Sequence, residues 1–439
     1  MSSPAHRSAC AAPLRTDAWA LGSPGERPDF DRGLLAELAR AHGTPLYVFD
    51  LDHVAGRLAR LRAAGFDAVR YAQKANTNLA LLRRLARGGA RVDAVSAGEL
   101  LRARAAGFAE ADIQVTADAF DRDLAALVGA AGEALAVSVG SLAALRSALA
   151  LGRRALVLRV NPGFGAGHHA KVTTGGPGTK HGIWHAAIDE AVALCAAAGA
   201  RVVGLHLHIG SGATQERLAE MLNFTGATLP RLGPHVARVS TGGGLPVPYR
   251  PDERPFDPAP FAAAWRDAVS AWRAARGGAP LELEVEPGRY LTAHAGVLVT
   301  EVLGENRTPA YTFTLVDAGF HTLVRPAMYG AYHHVSALAA GLDASAERSP
   351  QVLAGPLCET SDLLTQMKGG DPDPRLLPAL APGDLVLVHD VGAYGATMAS
   401  GYNARPLPAE VVLEGGAATL ARPREDLAAR IEDEARRLR

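Results

Sequence analysis

The stretch VRYAQKANTN, residues 69–78, contains an apolar, strand-like run that ends on a lysine. Lysine is rare in this chain, because only four of its 45 basic residues are lysines, namely Lys74, Lys171, Lys180 and Lys368. Arginine can replace lysine wherever only a positive charge is needed, but not where an amine must lose its proton and attack a carbonyl. A lysine at the end of an apolar strand therefore makes Lys74 a candidate catalytic amine.

The run before Lys74 is the first of eight similar units between residues 67 and 291. In each unit a short β-branched or apolar run precedes an Ala/Leu/Arg segment with helical periodicity, often closed by glycine. The strand candidates are residues 67–73, 91–96, 113–118, 135–140, 155–162, 201–211, 236–243 and 281–291. Alternating strands and helices predict a parallel sheet, and eight units predict a closed (β/α)8 TIM barrel. The pattern alone leaves an open, doubly wound sheet as the alternative.

The pattern changes after residue 295. Strand-like segments such as AYTFTLVDAGF and DLVLVHDVGAYG follow one another across turns, without comparable helical segments until RPREDLAARIEDEARRL near the C terminus. This arrangement predicts a separate, mainly antiparallel β domain, so that the fold class is α/β plus β. We divide the chain into a loose N-terminal extension (1–27), a segment that links to or pairs with the β domain (28–50), the barrel (51–295), and the β domain with a terminal helix (296–439).

Composition excludes several classes of protein. The 439 residues carry a formal net charge of zero, which gives no electrostatic basis for binding nucleic acid or an anionic membrane. No run of 18 apolar residues occurs, so no transmembrane helix is expected. The three cysteines lie far apart and form no CxxC pair, which argues for a reducing compartment, and we expect a cytoplasmic protein.

Reactive residue types collect at the carboxyl ends of the predicted barrel strands, where such barrels place their active sites. Taken singly, each has an ordinary explanation: a solvated lysine, core histidines in HLH, a tight turn of three glycines. Their common position on one rim favours a functional site instead. The residues concerned are Lys74, His208, Ser211, Gly242, Gly243, Gly244, Glu286 and Arg289.

These residue types suit pyridoxal 5′-phosphate (PLP). A partly desolvated lysine can form an imine with an aldehyde, and successive glycines let backbone N–H groups approach a phosphate. A carboxylate such as Glu286 keeps a pyridine nitrogen protonated, which makes the ring an electron sink. The competing interpretation of the histidines is a metal site, but no HExxH or Cys/His spacing occurs and we predict no metal. The segment HHAKVTTGGPGTKHG (168–182) is interpreted as a mobile loop over the barrel mouth.

Eight motifs, in order, resemble a known family from about residue 28 to 425. They include YAQKANTN, HLHIGSG, STGGGLPVPY, EPGRYL, RPAMYGAYHH, GPLCETSD and GAYGATMASGYNARPLPAEV. The chain resembles the fold-type III PLP-dependent decarboxylases, whose fold is alanine racemase/ornithine decarboxylase-like, and most closely the diaminopimelate decarboxylases. The resemblance implies decarboxylation of meso-2,6-diaminopimelate to L-lysine and CO₂, the last step of lysine biosynthesis, by a carboxy-lyase.

The resemblance also implies residue roles. Lys74 would carry the cofactor, His208 would stack on it, and Cys358, contributed across a homodimer with Glu359, would protonate the product carbanion. The residues expected to bind the cofactor are Lys74, His208, Ser211, Gly242, Gly243, Gly244, Glu286, Pro287, Gly288, Arg289 and Tyr394. Those expected to bind the substrate are Arg289, Arg325, Tyr329, Glu359 and Tyr394.

Two departures from the family pattern bear on the substrate. Thr360 stands where the family usually has serine after Cys-Glu, and Gly401 stands where asparagine is common. Neither removes a reactive group. A decarboxylase of a related D-configured or two-ended amino acid, acting in siderophore or antibiotic assembly, remains an alternative. An inactive relative that binds a partner protein is the alternative from another class, although this chain retains both Lys74 and Cys358.

Overall fold

The structure is a computed structural model, and it describes residues 26–165, 175–210, 215–338 and 347–438. Its strands in the first part of the chain are β1 (Leu46–Asp50), β2 (Ala68–Ala72), β3 (Arg91–Ala94), β4 (Ile113–Ala117), β5 (Ala136–Val139), β6 (Ala155–Asn161), β7 (Ile183–Trp184), β8 (Arg201–Leu207), β9 (Arg238–Ser240) and β10 (Glu282–Val285). The later strands are β11 (Gly296–Arg307), β12 (Thr312–Val316), β13 (Val335–Ala337), β14 (Arg348–Ala354), β15 (Arg375–Pro378), β16 (Leu385–Val388), β17 (Ala409–Glu414) and β18 (Ala417–Arg422).

The helices share one construction, in which an Asp, Asn or Ser side chain commonly caps the first turn and leucines or alanines face the sheet. They are α1 (Arg32–His42), α2 (Leu51–Ala64), α3 (Leu79–Arg87), α4 (Ala97–Ala106), α5 (Arg122–Ala130), α6 (Leu142–Ala150), α7 (Ile188–Ala197), α8 (Gln215–Thr228), α9 (Pro258–Ala275), α10 (Arg289–Thr292), α11 (Arg325–Tyr329) and α12 (Leu427–Arg437). No helix within the four described ranges combines the length and apolar character that crossing a bilayer requires.

Eight parallel strands close into a barrel. The order β2, β3, β4, β5, β6, β8, β9, β10 returns to β2, where Glu284 pairs with Ala68. The closed (β/α)8 barrel is therefore confirmed, and the open doubly wound sheet is wrong for this chain. Its core is formed by β-branched and leucine side chains of the strands and helices, with Trp265 of α9 fully buried.

A second sheet of nine strands contains β1 and the strands from β11 onward. Most of its pairings are antiparallel, as predicted, and the exceptions are β1 with β17 and β12 with β14. Strand β1 lies between β11 and β17, so residues 46–50 are part of the second sheet rather than a link outside it.

The barrel strands end earlier than the sequence suggests. Strand β8 stops at Leu207 instead of residue 211, and β10 stops at Val285 instead of residue 291, with Arg289 already in the short helix α10. The backbone leaves the sheet at these points because the following residues form the rim of a cavity. Likewise, Lys74 lies in a 3-10 turn, Gln73–Ala75, that follows β2 directly.

The chain is already held against the barrel at residues 26 and 27. The Glu26 carboxylate lies 2.8 Å from Arg57 and 2.7 Å from Arg60 on α2, and only 5% of Glu26 is exposed. Arg27 donates to Asp390 at 3.1 Å and to the carbonyl of Pro248 at 2.5 Å. A loose extension up to residue 27 is therefore wrong for its last two residues, and residues 1–25 lie outside the described part of the chain.

Candidate active site

A cavity of about 760 Å³ opens at the carboxyl ends of the barrel strands, beside the second sheet. Among the residues predicted for the site, ten line it: Lys74, His208, Gly243, Gly244, Glu286, Gly288, Arg289, Arg325, Tyr329 and Tyr394. The amine, the glycine turn and the carboxylate thus face one space, which is the arrangement on which the cofactor prediction depends.

Lys74 is held in place by contacts between its turn and the second sheet. Tyr394 N donates to the carbonyl of Ala75 at 2.8 Å, and the Asn76 side chain donates to the carbonyl of Gly392 at 3.0 Å. Asn78 caps α3 and also donates to Glu410 at 2.6 Å. The lysine side chain itself is exposed towards the cavity, where it is free to react.

Glu286 lies at the bottom of the cavity, 6% exposed, between two donors. Ser240 Oγ donates to Oε1 at 2.8 Å, and His206 Nε2 lies 2.9 Å from Oε2. Burial alone would raise the pKa of Glu286, but the charge and hydrogen bond of His206, the Ser240 hydroxyl and Arg70 together hold that pKa well below its usual range. Glu286 is therefore an anion at neutral pH, as a partner for a protonated ring nitrogen must be.

A second buried carboxylate, Asp93, lies behind Glu286. Thr116 Oγ1 donates to Asp93 Oδ1 at 2.5 Å, and Gln114 Nε2 lies between the two carboxylates, 3.3 Å from Asp93 and 3.5 Å from Glu286. Burial and the neighbouring Glu286 anion raise the pKa of Asp93 to about 6. The two neighbouring carboxyl groups thus have pKa values shifted in opposite directions, and Glu286 is the stronger acid.

His208 is joined to the glycine turn. Gly243 N donates to His208 Nδ1 at 3.1 Å, so the neutral ring carries its proton on Nε2. Burial and the nearby Lys74 charge hold the pKa of His208 well below its usual value, which keeps the ring neutral. A Cβ on Gly243 would come within 2.3 Å of the Glu286 carbonyl oxygen, so the turn admits only glycine there.

Aromatic rings separate and hold two arginines on the other wall. Arg289 lies between the rings of Tyr249 and Tyr394, with its Cζ 5.7 Å and 5.1 Å from the two ring centres. Arg325 also lies over the Tyr249 ring, with its Cζ 4.8 Å from the ring centre. No carboxylate in the described ranges forms an ion pair with Arg289 or Arg325. A ligand anion can therefore bind both.

The remaining predicted residues lie elsewhere. Gly242 and Pro287 are buried behind the lining, and Ser211 lies outside the described residues, as do residues 168–174 of the predicted mobile loop. Cys358 and Glu359 are exposed and do not line the cavity of their own chain; Glu359 accepts a hydrogen bond from Tyr402 at 2.5 Å. Their proposed role depends on a second subunit.

Sequence reasoning missed five groups at the site: Asp93, Thr116, Arg159, His206 as a partner of Glu286, and Tyr249. For Asp93 a signal was present, since a carboxylate within the apolar strand RVDAVS is as unusual as Lys74 in its own run. The sequence allows His206 to be interpreted as a core residue or a metal ligand, and it gives no signal of a carboxylate partner. No group of three or more His, Cys, Asp or Glu side chains in the described ranges is arranged to hold a metal ion.

The residues present fit PLP. Lys74 supplies the amine, Glu286 an anion for the ring nitrogen, His208 a neutral ring, and Gly243 a turn position with space only for backbone. The cofactor phosphate would lie beside the backbone N–H groups of the glycine turn, which are donors of the kind that bind anions in proteins.

Comparison with known proteins gives the same result. Residues 52–293 match the protein-family model described as "Pyridoxal-dependent decarboxylase, pyridoxal binding domain". The chain is 43% identical over 419 residues to diaminopimelate decarboxylase of Streptomyces coelicolor, covering 92% of this chain and 93% of that one. It is 41% identical over 402 residues to the enzyme of the same name from Escherichia coli K12, with 90% and 94% covered.

Solved structures agree with these relatives. A crystal structure of diaminopimelate decarboxylase superposes with a TM-score of 0.86 at 39% identity, covering 92% of this chain and 96% of that one. The Helicobacter pylori enzyme complexed with L-lysine gives a TM-score of 0.80 at 30% identity, with 91% and 100% covered. A lysine/ornithine decarboxylase from Vibrio vulnificus, complexed with putrescine, is 22% identical at a TM-score of 0.71, over 87% of this chain and 98% of that one, and shares the fold.

Proposed function

Because this chain belongs to the diaminopimelate decarboxylases within the family of pyridoxal-dependent decarboxylases, we propose that it converts meso-2,6-diaminopimelate to L-lysine and CO₂. This is the last step of lysine biosynthesis, and we place it in the cytoplasm. The observation that carries the proposal is the convergence of Lys74, Glu286 and the glycine turn on one cavity with two arginines that lack a carboxylate partner.

Five groups would hold the PLP cofactor. Lys74 would bind it through its amine, the glycine turn and Tyr394 would take its phosphate, His208 would lie against its face, and Glu286 would pair with its ring nitrogen. When bound, PLP supplies an electron sink for the electron pair that CO₂ leaves behind. The buried Glu286 anion favours that sink, because it keeps a proton on the ring nitrogen.

The arginines would select the substrate. Arg289 and Arg325 can each bind a carboxylate with two hydrogen bonds, and Tyr329 and Tyr394 line the same wall. Meso-diaminopimelate has an amine and a carboxylate at both ends, so one end can react while the other is held. Ornithine has no distal carboxylate and would leave the buried Arg325 without its partner, which is costly.

A homodimer would complete the site. Cys358 and Glu359 lie outside the cavity of their own chain, so we propose that they reach the cavity of a second copy. There Glu359 would accept hydrogen bonds from the distal ammonium of the substrate. Cys358 would donate the proton that the substrate carbon takes up after CO₂ leaves.

The test is CO₂ release and L-lysine formation by purified protein loaded with PLP. We expect both from meso-diaminopimelate, little from ornithine, and none from Lys74→Ala, which should also lose the visible absorbance of the bound cofactor. CO₂ release from another two-ended amino acid, but not from meso-diaminopimelate, would favour the siderophore or antibiotic alternative. Protein that binds no PLP and releases no CO₂ would favour the protein-binding relative.

A further inference from the structure

Arg325 is the more buried of the two unpaired arginines, at 5% exposure, and its position depends on one histidine. Arg325 NH1 lies 2.9 Å from His333 Nε2. On the other side of the ring, His333 Nδ1 lies 2.8 Å from the carbonyl oxygen of His389. A carbonyl oxygen can only accept, so Nδ1 carries the ring proton and Nε2 presents its lone pair to the guanidinium. His333, which is fully buried, therefore fixes one N–H of Arg325.

Tyr249 joins the same cluster from the loop that follows the glycine turn. Its hydroxyl accepts a hydrogen bond from Arg289 NH1 at 2.8 Å, while its ring lies 4.8 Å from Arg325 Cζ. The ring also meets His333 nearly edge-on, with 5.7 Å between centres and 78° between planes. One tyrosine thus touches both arginines and the histidine that holds one of them.

The cluster contacts both arginines through neutral groups alone, and no carboxylate in the described ranges pairs with either of them. A carboxylate in place of His333 or Tyr249 would neutralise the arginines and compete with an incoming anion. A neutral acceptor and a π face orient a guanidinium without cancelling its charge. The separation of the arginines is therefore set before any ligand arrives, which reduces the ordering that binding requires.

We propose that His333 and Tyr249 are positioning residues that hold Arg325 and Arg289 as a clamp for the non-reacting carboxylate, and so determine specificity for substrates with a carboxylate at both ends. The inference rests on the proposed function and assigns to this clamp two residues that contact the arginines rather than the reacting atoms. Loosening the clamp is expected to affect binding of the distal carboxylate more than the chemical step.

The experiment uses the PLP-loaded enzyme and two ligands that differ by one carboxylate. L-lysine keeps the carboxylate of the non-reacting end, and 1,5-diaminopentane lacks it. We expect His333→Leu to raise KM for meso-diaminopimelate and to weaken L-lysine inhibition, each about tenfold or more, since a buried hydrogen bond to a charged group is lost. The kcat should change by less than about threefold, and inhibition by 1,5-diaminopentane should be unchanged.

Conservative variants separate positioning from a structural role. Glutamine at position 333 can place an amide oxygen near the site of Nε2, so His333→Gln should recover most of the L-lysine affinity. Tyr249→Phe removes the hydroxyl that accepts a hydrogen bond from Arg289 and keeps the ring beside Arg325, so it should weaken L-lysine binding by a smaller factor than His333→Leu. His235→Gln and Tyr311→Phe, at residues outside the cavity lining, serve as matched controls that should match the wild type.

The proposal is overturned if His333→Leu and Tyr249→Phe bind L-lysine as the wild type does. It is equally overturned if both variants lose affinity for L-lysine and for 1,5-diaminopentane by the same factor. The same holds if His333→Gln binds L-lysine as weakly as His333→Leu does. Should His333→Leu fail to fold, Tyr249→Phe and His333→Gln decide the matter by the same two-ligand comparison. A wild-type enzyme that releases no CO₂ from meso-diaminopimelate would instead refute the proposed function, which keeps the two failures distinct.

Discussion

His206 Nε2 and Glu286 Oε2 lie 2.9 Å apart at the bottom of the cavity, and their contact joins β8 to the residue that follows β10, across the intervening strand β9. Both side chains are buried, so a charge on Glu286 would be costly without such a partner. His206 is itself fixed by Ser138 Oγ, 3.2 Å from its Nδ1. The barrel wall thus maintains an anion at the place where the cofactor ring is expected to need one.

Glu286→Gln should lower kcat about 100-fold or more, because a neutral amide cannot keep the ring nitrogen protonated. The side chain has nearly the same size, so the visible absorbance of bound cofactor should persist. Glu282→Gln is the matched control, since Glu282 begins the strand that leads to Glu286 but pairs with Arg91 outside the cavity. Steady-state rates with meso-diaminopimelate provide the measurement, and a Glu286→Gln enzyme of normal kcat would exclude the carboxylate from this role.

Asp93→Asn should stabilise the cofactor-free protein at neutral and higher pH. The pKa of Asp93 is raised to about 6 in the folded state, above its unfolded value of about 3.9. Its neutral form is therefore favoured on folding, and that contribution is present below about pH 4 and lost as pH rises through 6. The stability gain of Asp93→Asn should grow between pH 4 and 7, to about 3 kcal/mol at most.

Thermal unfolding of wild type and Asp93→Asn across pH 4–8 provides this test. Asp371→Asn, at an exposed carboxylate, is the control and should show no such trend. A stability difference between wild type and Asp93→Asn that stays flat with pH would show that Asp93 titrates normally.

Gly243→Ala should weaken PLP binding sharply. The added Cβ would come within 2.3 Å of the Glu286 carbonyl oxygen, so either the glycine turn or the end of β10 must shift. Gly132→Ala is the control, because nothing lies within 4 Å of its added Cβ. Titration of the apoprotein with PLP, followed by visible absorbance, should show at least tenfold weaker binding for Gly243→Ala alone. Equal affinities would mean that the turn does not approach the cofactor.

Arg27→Ala should destabilise the protein by about 2 kcal/mol, because it leaves the buried Asp390 without its arginine partner. Burial already raises the pKa of Asp390, and Arg27 is the group that most opposes that rise. Arg60→Ala should cost well under 1 kcal/mol, since Arg60 is 41% exposed and Glu26 keeps Arg57. Asp390→Asn should restore stability to Arg27→Ala, which urea unfolding would show. If Arg27→Ala and Arg60→Ala lower the free energy of unfolding by the same amount, the Arg27–Asp390 pair is not what holds this end of the chain against the barrel.

The barrel and the main site residues could be predicted because their signals are local. Each strand is a short apolar run, and Lys74, the glycine turn and Glu286 follow directly after one. The predicted end of β10 lies beyond the observed one because the chain turns into helix α10 soon after Val285. Tyr249 and His333 could not be assigned, since their role arises from contacts with Arg289 and Arg325, which are distant in sequence.

Strand β1 has a consequence for how the molecule is made. Phe49 pairs with Gly296 on one side and Val412 on the other, so one of its neighbours emerges from the ribosome about 360 residues later. At about 5–20 residues per second, the nascent barrel waits tens of seconds with this apolar edge uncovered. Tyr47 and Phe49 face the barrel core, while Leu46 and Val48 face α1. Strand β1, the first strand of the described residues, is thus among the last of them to be enclosed, and chaperone capture during translation should centre on it.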